Sequence, residues 1–192
     1  YLFYPSMSSS EGCKYLMEAI AVLARHGAGK DTSCPELISQ FGEHGLCRGT
    51  TMALKKTAAD ADCALSALRA ITYLCCDKNI IRFGAAGCCE VVIETLALHS
   101  TDRVLAQQAW SAMINLVLEE VNCTRSVNAC EHLVNAFKLW NVYADCMEWL
   151  LLACHNLTSA ECNRDRLASL GISTLLCSAI KDYSDVECIA RY

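Results

Sequence analysis

Apolar and polar residues follow one another along this chain with the period of amphipathic helices. In the stretch 61–74, the apolar residues Ala64, Leu68, Ile71 and Leu74 fall on one side of a helix. The chain has only 2 prolines and 9 glycines, and it uses the good helix formers Ala, Leu and Glu throughout. The pattern predicts an all-α fold.

A 42-residue period organises these helices. Gly45, Gly87 and Gly171 are separated by 42 and by twice 42 residues, and Ala129 fills the missing position. Glycine adopts a positive φ at low cost, so it lets a chain reverse sharply from one helix into the next. We therefore predict a turn between a first and a second helix at each of these glycines.

Each unit also contains an asparagine followed three residues later by an arginine. The pairs are Asn79 and Arg82, Asn122 and Arg125, and Asn163 and Arg166. Asparagine is a strong N-cap, because its side chain accepts from amides that lack a partner in the first helical turn. We expect these asparagines to cap the first helix of each unit.

An aspartate precedes the last helix of each unit. The series consists of Asp60, Asp102, Asp145 and Asp185. Carboxylates at this position accept hydrogen bonds from the first-turn amides, so the series predicts the caps of a third helix. Each third helix then closes on a leucine: Leu74, Leu116 and Leu157.

Three helices in ~42 residues match the length of HEAT and armadillo units, which is longer than an ankyrin or tetratricopeptide unit. Within residues 36–192 we predict units at 36–77, 78–120 and 121–161, with a truncated unit at 162–192. We expect residues 1–35 to form an N-terminal helix or capping segment. We expect its helix to bury Leu16, Ala19, Ile20 and Leu23.

These units resemble the armadillo repeat family over residues 36–192. The resemblance rests on Asn163-Arg164 before Leu167 and Gly171-Ile172, and on Ala112-Met113-Ile114-Asn115-Leu116 in a third helix. It implies a right-handed α-solenoid, an armadillo-like superhelix of three-helix repeats. It further implies that the third helices line a concave groove that binds extended segments of partner proteins. The third unit departs most, with Ala129 in place of glycine.

The same resemblance implies that an asparagine on the third helix binds the main chain of a partner peptide. Asn115 and Asn156 occupy that position, and Tyr73 occupies it in the first unit. The predicted partner-binding groove consists of Arg69, Tyr73, Gln108, Ser111, Asn115, Leu152 and Asn156. If both asparagines serve only a partner, replacing them with alanine leaves the melting temperature nearly unchanged.

The tryptophan that some family members carry in the groove is not reproduced. Arg69, Ser111 and Leu152 occupy the matching positions. Trp110 and Trp149 are offset by one and by three residues, and one residue rotates a helical side chain by about 100°. We expect the tryptophans to pack within or between repeats.

The 15 cysteines favour a reducing intracellular compartment, and we expect a cytoplasmic protein. Their number is odd, and several lie in apolar helical stretches where a free thiol acts as a small hydrophobe; they include Cys63, Cys75, Cys146, Cys154 and Cys177. The adjacent pairs Cys75-Cys76 and Cys88-Cys89 lack the spacing of zinc ligands. Burial is favoured for them, and lipidation stays open.

The remaining features exclude several classes of function. The formal charge is −5 without a Lys/Arg cluster, which disfavours a nucleic-acid partner. No apolar stretch approaches the ~20 residues of a transmembrane helix. The five histidines are scattered singly, so we expect no enzyme, cofactor or metal. The stretch 27–32 lacks the spacing of a phosphate-binding loop.

The expected function is a non-catalytic protein–protein interaction scaffold or adaptor that binds a peptide or small domain of another protein. The alternative is a structural or self-associating role, or a regulatory arm of a larger multidomain protein. The chain begins without Met and ends inside an expected helix, so we expect it to be a fragment.

Overall fold

A computed structural model describes residues 10–27 and 35–183 of the chain. Every regular element in these residues is helical, as predicted. The elements are α1 (Ser10–Gly27), α2 (Pro35–Glu43), α3 (Leu46–Thr57), α4 (Ala61–Leu74), α5 (Asp77–Ala85), α6 (Cys88–Leu98), α7 (Arg103–Leu116), α8 (Glu120–Arg125), a 3₁₀ turn (Ser126–Asn128), α9 (Ala129–Trp140), α10 (Ala144–Leu157), α11 (Glu161–Ser169) and α12 (Ile172–Tyr183).

The helices pack in a repeating order. Within a group of three, the third helix packs on the second: α4 on α3, α7 on α6, and α10 on α9. The third helices also contact one another in sequence, because α4 packs against α7 and α7 against α10. Helix α1 packs against α4 in the same manner. It therefore takes the place that the third helix of a preceding unit would occupy.

The glycine prediction is confirmed. Gly45, Gly87 and Gly171 have φ of 85°, 78° and 79°, and each directly precedes a second helix. Ala129 has φ of −64° and lies at the start of α9. An L-residue avoids positive φ, so the third unit passes through a 3₁₀ turn into α9 instead of reversing at a left-handed residue.

The predicted aspartate caps are correct in two units and wrong in a third. Asp60 accepts from the amide of Cys63, and this hydrogen bond lowers the pKa of Asp60. Asp102 accepts from the amides of Val104 and Leu105. Asp145 is the second residue of α10, whose N-cap is Tyr143. Asp185 lies outside the described residues.

The prediction that the recurrent asparagines cap first helices is wrong. Asn79, Asn122 and Asn163 lie inside α5, α8 and α11 and are at most 2% exposed. Asn122 Nδ2 donates to Leu116 O, at the end of the preceding helix, and to Ile80 O, one unit earlier. Each of these amides thus ties its own unit to the one before it.

The other two asparagines make equivalent bonds. Asn79 Nδ2 donates to Ile38 O at 2.8 Å and to Leu74 O at 3.1 Å. Asn163 Nδ2 donates to Cys123 O at 2.9 Å and to Leu157 O at 3.0 Å. Because a buried side-chain amide without hydrogen-bond partners is costly, this recurring bridge explains how an asparagine can be buried in three successive units.

The arginines that follow these asparagines also reach the preceding unit. Arg125 donates to Gly84 O at 3.0 Å, and Arg82 donates to Ser39 O at 3.4 Å. Arg166 pairs with Glu131. These contacts are partly solvent-exposed, so the buried asparagines contribute the more specific part of each joint.

The buried face of α1 differs from the prediction. Cys13, Met17, Ile20 and Ala24 face the core, whereas Ala19 and Leu23 are exposed. The contact with α4 selects this face, and the sequence of α1 alone carries apolar residues on both sides.

The thiols are buried as predicted, with one exception among those singled out. Cys63, Cys75, Cys146 and Cys154 are buried, and Cys177 is exposed. Cys88 and Cys89 are both fully buried, whereas in the other pair Cys75 is buried and Cys76 partly exposed. No disulfide bond joins the cysteines of the described residues.

Candidate interaction face on the third helices

Three third helices present matching rows of side chains to solvent. On α4, α7 and α10, residues four apart share one side of the helix, and the same three positions recur in each unit. We call the resulting surface the third-helix face, and it consists of Leu65, Arg69 and Tyr73 on α4, Gln107, Ser111 and Asn115 on α7, and Glu148, Leu152 and Asn156 on α10.

Solvent reaches all nine positions of the third-helix face. Each is exposed or partly exposed, and none is buried. Residues directly beside them, such as Ala70, Ala112 and Ala153, are buried against the neighbouring helices. The boundary between core and surface therefore runs beside the central row of this face, which is Arg69, Ser111 and Leu152.

The two asparagines of the face also join the units. Asn115 Nδ2 donates to Thr72 O at 3.3 Å, and Asn156 Nδ2 donates to Ile114 O at 3.1 Å. A net hydrogen bond contributes about 0.5–1.5 kcal/mol, so removing both costs stability. Contrary to the expectation from sequence, we therefore expect the double alanine variant to melt below wild type.

Each asparagine still has unused hydrogen-bonding capacity. One amide hydrogen of Asn115 is used, and its Oδ1 accepts no hydrogen bond from the described part of the chain; the same holds for Asn156. An amide fixed at Nδ2 presents its remaining donor and its acceptor in a defined orientation. That arrangement suits recognition of a peptide main chain.

Gln108 lies beside the face rather than on it. Its Nε2 donates to Thr72 Oγ1 at 3.0 Å, and its side chain is half-buried between α7 and α4. The adjacent Gln107 is exposed and occupies the surface position. Of the predicted groove residues, Arg69, Tyr73, Ser111 and Leu152 lie on the face together with the two asparagines.

The tryptophans pack inside, as expected. Trp110 is fully buried, and the rings of Trp140 and Trp149 meet edge to face at 5.7 Å. Trp149 Nε1 is buried and has no hydrogen-bond partner in the described residues. Trp149 corresponds to Gln108 of the preceding unit, whose side chain donates to the hydroxyl of Thr72. The residue that corresponds to Thr72 is Ile114, and its side chain has no hydrogen-bond acceptor.

Charges at the edge of the face are mostly paired. Arg103 donates to Asp145 at 3.3 Å and stacks over the ring of Tyr143 at 4.8 Å. Lys14 pairs with Asp62 at 2.9 Å. On the face itself, Arg69 and Glu148 make no ion pair within residues 10–27 and 35–183, so they carry its uncompensated charge.

An open cleft of about 860 Å³ lies where the third helices end. It is lined by Leu118, Glu120, Thr124, Ser159, Ala160, Glu161, Cys162, Arg164 and Asp165. The guanidinium of Arg164 donates to the carbonyls of Thr158 and Ser159, so it is already engaged at the end of α10. Two of its lining residues, Leu118 and Ser159, follow α7 and α10 by two residues each, so the cleft lies at the C-terminal ends of these helices.

Sequence reasoning missed Leu65, Gln107 and Glu148 on the face. They stand four residues before the positions it did identify, with the same separations between units. Extending the predicted positions by one helical turn in each third helix would have found them.

Two further properties concern the described residues only. No group of three or more His, Cys, Asp or Glu is placed to hold a metal ion there. None of the helices has the length and apolar character needed to cross a membrane.

Comparison with known proteins yields a likeness of fold. A crystal structure of an engineered protein, determined by the Northeast Structural Genomics Consortium, matches with a TM-score of 0.76 at 19% sequence identity. The match covers 96% of this chain and 71% of that chain. No family model matches the sequence, and no curated protein matches it. At this identity the likeness speaks for the helical architecture alone.

Proposed function

We propose that this chain is an armadillo-like right-handed α-solenoid that acts as a non-catalytic scaffold for another protein. The observation that carries the proposal is the third-helix face, nine solvent-accessible positions repeated in register across three units. Consecutive units that bury their apolar sides on each other leave an extended shared surface, which is the surface such repeat proteins use for binding.

The third-helix face offers a peptide or small domain both polar and apolar contacts. Tyr73 and Leu152 supply apolar area, and Ser111 leaves room between them for a partner side chain. Asn115 and Asn156 supply main-chain donors and acceptors at two successive units. Partner binding at this face requires no reactive group, so the scaffold needs neither cofactor nor metal.

A charge substitution at the centre of the face tests the proposal. Ser111→Lys places a long cation on the central helix one turn before Asn115, and Ser173→Lys makes the same change on the exposed side of α12. Immobilised chain is incubated with cell lysate, and retained proteins are quantified by mass spectrometry. We expect wild type and Ser173→Lys to retain the same proteins, and we expect Ser111→Lys to lose them. If both variants retained these proteins equally, the third-helix face would be excluded as the binding surface.

Self-association is a second candidate, favoured by apolar residues exposed on the terminal helices. Ile180 on α12 is 67% exposed, and Tyr15 and Leu23 on α1 are 63% and 54% exposed. If these surfaces meet between copies, Ile180→Glu lowers the mass measured by light scattering at high concentration. The scaffold proposal expects the mass to stay the same.

A further inference from the structure

The third-helix face carries opposite charges at its two ends. Arg69 on α4 is exposed, and Glu148 on α10 is exposed, and neither has an ionic partner among the described residues. The helix between them contributes only the uncharged Gln107, Ser111 and Asn115. The face is therefore polarised along the direction in which the units succeed one another.

Nearby charges do not cancel this polarity. Arg103 and Asp145 neutralise each other, and so do Lys14 and Asp62. Glu18 on α1 accepts a hydrogen bond from Ser66 at 3.4 Å, which directs it towards the α1–α4 contact. His155 is exposed next to Asn156 but belongs to a neighbouring row. Arg69 and Glu148 are therefore the two positions of the face where a charged partner residue gains the most binding free energy.

The spacing of the helices sets the length of a segment that reaches both charges. Packed helices lie about 8–10 Å apart, so α4 and α10, with α7 between them, are separated by about 16–20 Å. An extended chain advances about 3.3 Å per residue and covers this distance in about five or six residues.

The polar groups of the face favour an extended segment over a helix. The free Oδ1 atoms of Asn115 and Asn156 need donors, and a helix uses its own main-chain groups internally. An extended segment leaves its amides and carbonyls open to both asparagines. Charge complementarity at the two ends then selects which segment binds, and it sets which charged residue of that segment lies on α4 and which on α10.

We propose that the third-helix face recognises an extended peptide segment that carries an acidic residue and a basic residue about five or six positions apart. The acidic side chain meets Arg69, the basic one meets Glu148, and the residues between them are uncharged. This specificity rests on the proposed scaffold function and adds the chemistry of the partner to it.

A library of random twelve-residue peptides displayed on phage provides the test. Wild-type chain is expected to enrich sequences with one acidic and one basic residue at that spacing, in one fixed order. Arg69→Glu with Glu148→Arg reverses the polarity, so this variant should enrich the opposite order. Arg48→Glu with Glu94→Arg exchanges two exposed charges on α3 and α6 and should enrich the wild-type order.

A synthetic peptide from the wild-type selection quantifies the effect by fluorescence anisotropy. We expect its Kd to rise about tenfold in Arg69→Glu, because an attractive contact becomes repulsive, and the loss to shrink as salt is added. The Arg48→Glu variant should keep the wild-type Kd.

The possible failures are distinguishable. One failure is that the selected peptides bind wild type but not Ser111→Lys, and yet show no charge spacing or keep the same charge order in the exchanged variant. This result would overturn the proposed specificity and leave the scaffold function standing. Selection of no peptide at all would also overturn the specificity, whereas lysate capture by Ser111→Lys and Ser173→Lys decides the scaffold function separately.

Discussion

At the scale of single residues, the joints between units depend on buried asparagines. Asn79, Asn122 and Asn163 each donate from one amide nitrogen to two carbonyls of the preceding unit. A side-chain amide supplies two hydrogens without a charge, which makes it suited to a buried site with two acceptors. Water has no access there, so the protein itself must satisfy these carbonyls.

Asn122→Asp tests this role with a nearly isosteric change. The aspartate oxygen cannot donate, so Ile80 O and Leu116 O lose the amide hydrogens of Asn122 and face a buried carboxyl group. We expect a loss of about 3 kcal/mol or more in the free energy of unfolding, measured by urea denaturation. The matched change Asn135→Asp on the exposed side of α9 should cost less than about 0.5 kcal/mol.

Gly84 is required because the same asparagine lies against it. A Cβ on Gly84 would stand 1.7 Å from Asn122 Oδ1, whereas one on Gly49 would meet nothing within 4 Å. Gly49→Ala in the middle of α3 should raise stability by about 0.5–1 kcal/mol through helix propensity. We expect Gly84→Ala to lower it despite the same propensity gain. Thermal unfolding of the two variants compares them directly, and equal stabilisation would exclude the steric conflict.

The asparagine series was visible in the sequence, but its function was not. An N-cap and a buried bridge both require a small polar side chain early in a helix. The difference depends on where the helix begins. Helix α5 starts at Asp77, two residues before Asn79. Asn79 therefore lies inside the first turn, and its side chain reaches the preceding unit. Such a shift of two residues is beyond what a periodic pattern specifies.

At the scale of helices, the same aspartate series has two physical roles. Asp102 accepts two amide hydrogen bonds at the start of α7, and Asp145 makes one exposed ion pair with Arg103. Asp145 follows Asp102 by 43 residues, whereas the N-cap residue Tyr143 follows it by 41, so Asp145 lies inside the helix instead of at its cap. The glycine turns, by contrast, were predictable because positive φ leaves few alternatives to glycine.

Replacing each aspartate by alanine separates these roles. Asp102→Ala removes a cap and should cost about 1 kcal/mol of stability. Asp145→Ala removes a solvent-exposed ion pair and should cost about 0.5 kcal/mol or less, with the difference from wild type vanishing in 1 M salt. Melting temperatures at low and high salt provide the measurement. A larger cost at Asp145 would contradict the cap assignment.

At the scale of the whole molecule, the candidate face was only partly predictable from sequence. Arg69, Ser111 and Leu152 were predicted from sequence and are solvent-accessible on their helices, because the period fixes equivalent positions on equivalent helices. The contact that half-buries Gln108 depends on Thr72 in a different unit, 36 residues away. A pattern within one helix contains no information about such a contact, so it does not distinguish the half-buried Gln108 from the exposed Gln107.

Buried thiols distributed through all three complete units predict a loss of stability at alkaline pH. Burial raises the pKa of Cys47, Cys89 and Cys154 to about 11 and that of Cys130 to about 12, from about 9 in the unfolded chain. Below pH 9 both states keep their protons, and this contribution to stability is constant. Above it the unfolded chain releases protons that the folded chain retains, so stability falls as pH rises towards 11.

The urea midpoint should therefore drop between pH 8 and pH 10.5, and the drop should be smaller in Cys47→Ala with Cys89→Ala. The exposed pair Cys162 and Cys177 offers the control, because replacing both with alanine removes no buried thiol and should leave the wild-type dependence on pH. Equal slopes in all three proteins would mean that other groups govern the alkaline transition. A flatter slope in the buried variant alone would tie it to the thiols that fill the interior of every complete unit.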